Sequence, residues 1–360
     1  MIKEYKLVIV ISFILFVLPE PVNSLDLNKV VPHSFNDKIT DSIKFDHPIL
    51  SPGSIWIYNV TFDIYPENRG KMVVALIDNS TKIINNSIYY TFIIVTPSYK
   101  ETQLLDSNIF DRKIKTKIIS RDDMGMKLTF DPELIHFDYP LYPGKSWGDT
   151  INYTGLIGGV MTEGTVTYIQ KVIRMEHINT PAGTFDTMVV ENTIIFPILG
   201  LNMKARLWID VNGLLIKREA YINGAKIQEI ELISYNVPLS SMLNQTIGEV
   251  YLLKEALDMS SPKQNIANLD SNIQIILKNL RKALISLEKG NNNKVVIYLF
   301  KSSNLINIFI KNVEKVDNPN VTLHLLNAAS VIKNHIDSIS DIIKSSSKNI
   351  SDKSTCTRGN

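Results

Sequence analysis

The residues best equipped for chemistry in this chain are six histidines, several acidic groups, three tryptophans and one cysteine. The histidines are His33, His47, His136, His177, His324 and His335. None stands at metal-ligand spacing from another His or Cys, and the zinc-protease pattern His-Glu-x-x-His does not occur. His324 and His335 share an expected helix, but eleven residues separate them by about 16 Å. One ion cannot bridge that gap, so all six read as surface or core-edge side chains. A serine nucleophile would need a Gly-x-Ser-x-Gly elbow, and there is none. Gly158-Gly159 and Gly164 are followed by neither Lys-Ser/Thr nor a helix, so they form no phosphate loop. Arg121-Asp122-Asp123 and Asp131…Glu133…Asp138 have the residue types for calcium or for paired-carboxylate catalysis. Beside a Met-Gly turn and ahead of Pro140, they read as loop acids. The sequence therefore predicts no catalytic residue, no metal site and no cofactor.

The tryptophans admit two readings. Large aromatics plug the core or rim of a curved sheet, or they form a ligand platform. The platform would comprise Trp56, Trp147, Lys204, Arg206 and Trp208, the last three sharing one strand face with Asp210.

The elements that would position these residues follow from the chain's ends inward. Lys3 and Lys6 precede an apolar run from Leu7 to Leu18, and Val22-Asn23-Ser24 places small residues where a signal peptidase reads. That run is short of the roughly 17–25 residues a spanning helix needs. Residues 1–24 are thus expected to be a signal peptide, with retention as an anchor the alternative, and the chain is expected to be exported, outside the cell or at its surface. No later segment is apolar enough to predict a membrane span. The lone Cys356 permits no internal disulfide, which exported proteins with large cores do not require. A net charge of +2 gives no reason to expect nucleic acid as a partner. Seven Asn-x-Ser/Thr sequons, at Asn59, Asn79, Asn85, Asn152, Asn244, Asn320 and Asn349, are glycan acceptors in an exported chain, although an Asn-rich sequence also produces them by chance.

After an N-terminal extension over 25–47, residues 48–237 alternate apolar and polar side chains in short runs separated by turn residues, the pattern of antiparallel strands. In IWIYNVTF, Trp56, Tyr58, Val60 and Phe62 share a face. Further strands are expected near 71–78, 88–96, 114–120, 125–130, 163–175 and 186–196. Asn212-Gly213 and Asn223-Gly224 predict two type I′ turns and a three-strand meander over 203–235. Gly53-Ser54-Ile55-Trp56, Tyr142-Pro143-Gly144-Lys145-Ser146-Trp147, Thr180-Pro181-Ala182-Gly183-Thr184-Phe185-Asp186 and Gly213-Leu214-Leu215-Ile216-Lys217-Arg218 occur in that order. This arrangement resembles exported β-domains of the TapB-like kind, related in shape to the LolA/LolB lipoprotein-carrier half-barrels. The resemblance implies a curved antiparallel sheet with an apolar concave face, and it brings no catalytic residues.

Past residue 262 the hydrophobic period changes from two to about 3.6. Stripes run through Ile273, Ile276, Leu277, Leu280, Leu284 and Leu287, then Val295, Val296, Leu299, Ile306, Ile310 and Val313, then Leu325, Ala328, Ala329, Ile332, Ile336, Ile339 and Ile343. They predict a three-helix bundle over 263–343, with Gly290 as a positive-φ stop. Leu287-Glu288-Lys289-Gly290-Asn291, Phe309-Ile310…Val313 and Leu326…Ala328-Ala329 resemble a FIMAH domain, which implies an interaction or spacing role. Pro238, Ser240-Ser241 and Ser260-Ser261-Pro262 mark 238–262 as a partly structured linker, and the polar stretch 344–360 reads as disordered.

The fold class expected is mainly β plus α, a curved sheet or half-barrel followed by the bundle. Functionally the sequence favours an exported, non-catalytic binding or interaction protein whose partner is an envelope protein, a polysaccharide or an apolar ligand. A carrier of a lipid or other apolar molecule is the second reading, and an unrecognised hydrolase the third. The interior of the β-module separates them: packed, apolar and hollow, or lined by convergent polar groups.

Overall fold

The computed structural model describes residues 44–356, apart from 46, 50, 85, 86, 97, 98, 123, 124, 198–200, 212, 223, 261–266 and 316–318. The expected signal segment, His33 and the sequon at Asn85 lie outside the described residues.

The alternating segment folds into twelve strands: β1 (Ile55–Asp63), β2 (Met72–Ile84), β3 (Ser87–Val95), β4 (Lys100–Asn108), β5 (Lys113–Arg121), β6 (Met126–Asp138), β7 (Ser146–Ile157), β8 (Val160–Thr180), β9 (Gly183–Phe196), β10 (Leu201–Asp210), β11 (Leu215–Ile222) and β12 (Ala225–Asn236). Every pairing is antiparallel and each strand lies beside its sequence neighbour. β1 then pairs with β12, Trp56 opposite Tyr235 and Val60 opposite Ile230, so the sheet closes into a barrel. Closure removes both exposed edges. The barrel is fuller than the half-barrel or open curved sheet the sequence suggested, because that reading omits β4 and β7. In β4 the inward residues Glu101 and Gln103 are polar, so the strand shows no apolar alternation. In β7 two glycines dilute the pattern. A Cβ on Gly148 would come within 2.3 Å of the Tyr168 carbonyl oxygen, and one on Gly155 within 1.9 Å of that of Lys127. The close approach of neighbouring backbone demands glycine there.

One rim of the barrel carries the β4–β5, β6–β7, β8–β9 and β10–β11 turns; the other carries the alternate turns. The chain leaves β12 at the first rim and enters four helices: α1 (Leu239–Ser260), α2 (Ala267–Glu288), α3 (Asn292–Val313) and α4 (Pro319–Cys356). α2 packs on α3, α3 on α4, and α1 on both α2 and α4. This is a four-helix bundle, not the three-helix one expected. The fourth helix is the stretch read as a linker. Its Pro238 and Ser240-Ser241, a helix start in the structure, resemble loop residues in sequence. Met242, Leu243, Val250, Leu253 and Leu257 of α1 are buried in the bundle core. The expected disordered tail likewise starts inside a helix, since α4 continues to Cys356.

The predicted helical stripes are the ones that bury. Ile273, Ile276, Leu280, Val295, Leu299, Ile306, Ile332, Ile336 and Ile339 are fully buried in one aliphatic core. Each such side chain contributes about 1.5–3 kcal/mol of burial free energy. Gly290, at φ +67°, ends α2 with its N–H on the Leu287 carbonyl and the Asn291 N–H on that of Ser286. The Asn291 side chain then caps α3 by accepting from the Lys294 N–H at 3.1 Å.

Candidate functional site

The barrel interior is not filled. It encloses a cavity of about 820 Å³ on the side facing the bundle. A sheet of twelve strands closes around more space than its side chains can fill, and larger barrels enclose ligand cavities for this reason. Inward alternation supplies the walls: Tyr58, Ile77, Ile94, Leu105, Ile114 and Leu207 are buried and line the cavity. At its bundle end the lining includes His47, Asn334, His335, Asp337 and Asp341, so α4 forms part of the enclosure.

A set of polar side chains interrupts the apolar wall. Gln103 on β4, Thr116 on β5, Asn192 on β9 and Arg218 on β11 are buried and contribute to the lining. The Arg218 guanidinium donates to Gln228 Oε1 at 3.0 Å, and Gln228 Nε2 donates to Asp63 Oδ2 at 3.0 Å. Burial lowers the pKa of Arg218, while Tyr99 and Glu101 across the barrel raise it. Gln103 Nε2 donates to Glu101 Oε1 at 2.7 Å, and Arg121 lies over the Tyr99 ring at 3.4 Å. Arginine and glutamate thus balance each other within the barrel. By contrast, the Asn192 side-chain oxygen and the Thr116 hydroxyl are buried with no hydrogen-bond partner.

The seam between barrel and bundle is pinned at one histidine. His335 Nε2 lies 2.9 Å from the His47 carbonyl oxygen, and its Nδ1 lies 2.7 Å from Glu249 Oε2 on α1. A carbonyl only accepts, so Nε2 carries a proton and the Nδ1···Oε2 contact shares a second one. Asn327 Nδ2 also donates to the Phe110 carbonyl in the β4–β5 turn, at 3.2 Å. His47 is held neutral, its pKa pushed down to about 3 by burial, then by His335 and Arg112. His136 faces the cavity and is pushed down to about 4 by enclosure within the protein.

The sequence-derived platform does not assemble. Trp56 lines the cavity, edge-on to Phe92 at 6.1 Å. Trp147 packs between two core clusters, with Lys145 at 6.0 Å from its ring. Trp208 is 4% exposed beneath Arg206 and Lys217, so it is a buried plug and not a surface platform. Arg206 is engaged by Glu191 at 2.9 Å, and exposed Lys204 contributes to the cavity lining. Among the acidic groups, Asp131, which is exposed, and Glu133 meet on the Lys117 ammonium at 3.6 and 3.5 Å, Glu133 also accepts from the Tyr89 hydroxyl at 3.1 Å, and Asp138 stands apart, paired with Lys145 at 3.2 Å. Of the sequons, Asn79, Asn152 and Asn244 are exposed and Asn59 is half-buried. Sequence reasoning missed Arg218 and Asn192. The signal for both was present, a polar residue inside an otherwise apolar inward face: Ile216-Arg218-Ala220 and Val190-Asn192-Ile194.

No protein-family model and no curated protein matches the chain, so neither the TapB-like nor the FIMAH resemblance gains support from one. Solved structures are similar over about half of it. A protein with a YmcC-like fold from Bacteroides fragilis matches at 14% identity and TM-score 0.36, covering 54% of this chain and all of its own length, 100%. A protein assigned as a lipoprotein from Parabacteroides distasonis matches at 16% identity and TM-score 0.30, covering 55% of this chain and 100% of its own. The hypothetical lipoprotein YmcC from Escherichia coli matches at 10% identity and TM-score 0.30, covering 52% of this chain and 89% of its own. These scores carry no argument about the site.

Proposed function

We propose that this chain is an exported, non-catalytic envelope protein whose barrel lumen carries an apolar small molecule. One observation supports the lumen reading above the others: a deep, partly open and mainly apolar cavity of about 820 Å³. That volume lies within the range of about 300–1,000 Å³ usual for small-molecule sites. A surface-only binding module has no use for such a void, which forfeits packing energy. A hydrolase would want a nucleophile and a base within hydrogen-bond reach, whereas His335 of the lining is held by Glu249 and the His47 carbonyl, and the Thr116 hydroxyl has no hydrogen-bond partner. The export reading rests on the basic start, the apolar run and Ser24.

The test titrates the mature chain, checked by mass spectrometry to begin at Leu25, with phenylnaphthylamine, an uncharged probe that fluoresces in apolar surroundings. Saturable binding at one site per chain is expected. Ala205→Trp, which fills the lumen, should abolish it at a stability cost of about 1–3 kcal/mol, with the far-ultraviolet circular dichroism unchanged. A folded Ala205→Trp variant that binds the probe as well as the parent would refute the lumen reading. A chain that retains Met1 would refute cleavage.

A further inference from the structure

Resting on the lumen reading, we propose that the ligand is an uncharged amphiphile: an apolar chain or ring system bearing a hydroxyl, which Asn192 or Thr116 receives. Two of the polar groups in the cavity wall are already satisfied. Arg218 is hydrogen-bonded to Gln228 and faces Glu101, and Gln103 donates to Glu101. Charge on this part of the wall, between β4 and β11, is therefore matched before any ligand arrives. A carboxylate or ammonium would bring an uncompensated charge into a low-dielectric space, which is costly.

The other two are not satisfied. The Asn192 side-chain oxygen is an acceptor, 9% exposed at the residue level, with no donor. The Thr116 hydroxyl, on a residue 1% exposed, has neither donor nor acceptor. Such groups are rare in folded proteins because each costs about 1–3 kcal/mol when left unpaired. Both border the same void: Asn192 lies between its register neighbours Ala205 and Gln170, whose Nε2 is taken by the Ile135 carbonyl, with Ile194 beside it, and Thr116 lies between Leu105 and Leu134. A ligand group that donates fits the first, one that donates or accepts fits the second, and an apolar body fits what surrounds each. A hydroxyl does both without charge.

The test uses displacement of phenylnaphthylamine from the full mature chain by hexadecanol, its methyl ether, hexadecanoate and hexadecylamine. Hexadecanol should displace the probe at least about tenfold more tightly than the ether, which cannot donate to Asn192, because an unmade buried hydrogen bond carries that order of discrimination. It should also outcompete both charged analogues. Asn192→Leu should erase the alcohol's advantage while leaving ether binding within about twofold, since the ether has no hydrogen to donate to the lost acceptor. Thr116→Val, nearly isosteric, is the second variant should Asn192→Leu not fold, and it too should weaken the alcohol selectively. Equal displacement by alcohol and ether overturns the inference and leaves the lumen reading intact, with water as the partner of these groups. Tighter binding of the carboxylate or the amine overturns it as well. A probe that does not bind at all overturns the lumen reading itself.

Discussion

The helical bundle and the barrel interior both draw on Ile, Leu and Val, the barrel adding many aromatics, yet they use them differently. In the bundle every predicted stripe closes on the others, and buried hydroxyls return to their own helix: Thr246 to the Met242 carbonyl, Ser286 to Lys282, Ser302 to Tyr298. In the barrel the apolar side chains form a wall around empty volume, and Asn192, Thr116, Thr91 and Gln170 each keep a buried side-chain atom without a partner. Natural cores are close-packed and their polar groups paired, so a region that departs from both rules is maintained for something other than stability. The bundle closes one end of the space the barrel leaves open.

That contrast is most directly broken by matched truncations. Ile276, fully buried on α2, and Ile114, 4% exposed on β5 at the cavity wall, are the same residue type in the two settings. Ile276→Ala should cost about 4 kcal/mol, because the tight surroundings cannot collapse onto the new void. Ile114→Ala should cost about half that, since one side of the isoleucine already lacks contacts to lose. Urea unfolding of both variants gives the comparison. Equal costs would mean that the cavity wall packs as well as the bundle core.

The two rims of the barrel sharpen the same contrast. Gly213 and Gly224 both hold positive φ, +72° and +81°. The sequence assigns each to the second central position of a two-residue turn. Gly224 lies in such a turn, between the paired residues Ile222 and Ala225. Gly213 does not: its N–H donates to the Asp210 carbonyl, and Asp210 N–H donates to that of Leu214, which closes a three-residue loop over 211–213. The Asp210 carboxylate, accepting the Leu214 N–H at 2.7 Å, holds the longer loop. A Cβ on Gly224 meets nothing, whereas one on Gly213 would lie 2.3 Å from Pro48 Cβ. Pro48 adjoins His47, whose carbonyl pins His335. Gly224→Ala should therefore cost about 1 kcal/mol of backbone strain, and Gly213→Ala about 2–3 kcal/mol from strain and overpacking together. Equal values from chemical denaturation would show that the bundle-side rim is no tighter than the free one.

Much of this architecture was legible in the residues. Period-two alternation placed ten of the strands, and the helical stripes named the bundle core. What escaped did so where side-chain polarity contradicts the burial pattern. β4 hides behind inward Glu101 and Gln103, β7 behind Gly148 and Gly155, and α1 behind Pro238 and its serines. The candidate site failed for the related reason that it is a hollow. Trp208 looked like a surface because Arg206 and Asp210 share its face, but Arg206 and Lys217 cover it. Barrel closure depends on a pairing between residues almost the whole module apart, Ile55 with Asn236, and no local pattern announces it.

A further expected effect concerns protons, and it separates the two regions by titration. The cavity side of the molecule holds His47 and His136 neutral, with pKa values pushed down to about 3 and about 4, chiefly by burial. In the unfolded chain histidine titrates near 6.5, so between pH 6 and pH 5 the unfolded state carries nearly two protons that the folded state lacks. Asp106 works in the opposite sense. Burial raises its carboxyl to about 6, so in the same window the folded state takes up one proton that the unfolded state, titrating near 3.9, does not. Two minus one leaves about one extra proton on the unfolded chain, and stability should fall by about 1.4 kcal/mol as pH drops from 6 to 5. Asp106→Asn removes the opposing proton and should steepen the loss to about 2.7 kcal/mol over the same unit. Urea midpoints at the two pH values, for the parent and the variant, measure both slopes. Stability that holds or rises toward pH 5 in the parent would mean that water in the cavity keeps these histidines free to charge, and that the barrel interior is as wet as its surface.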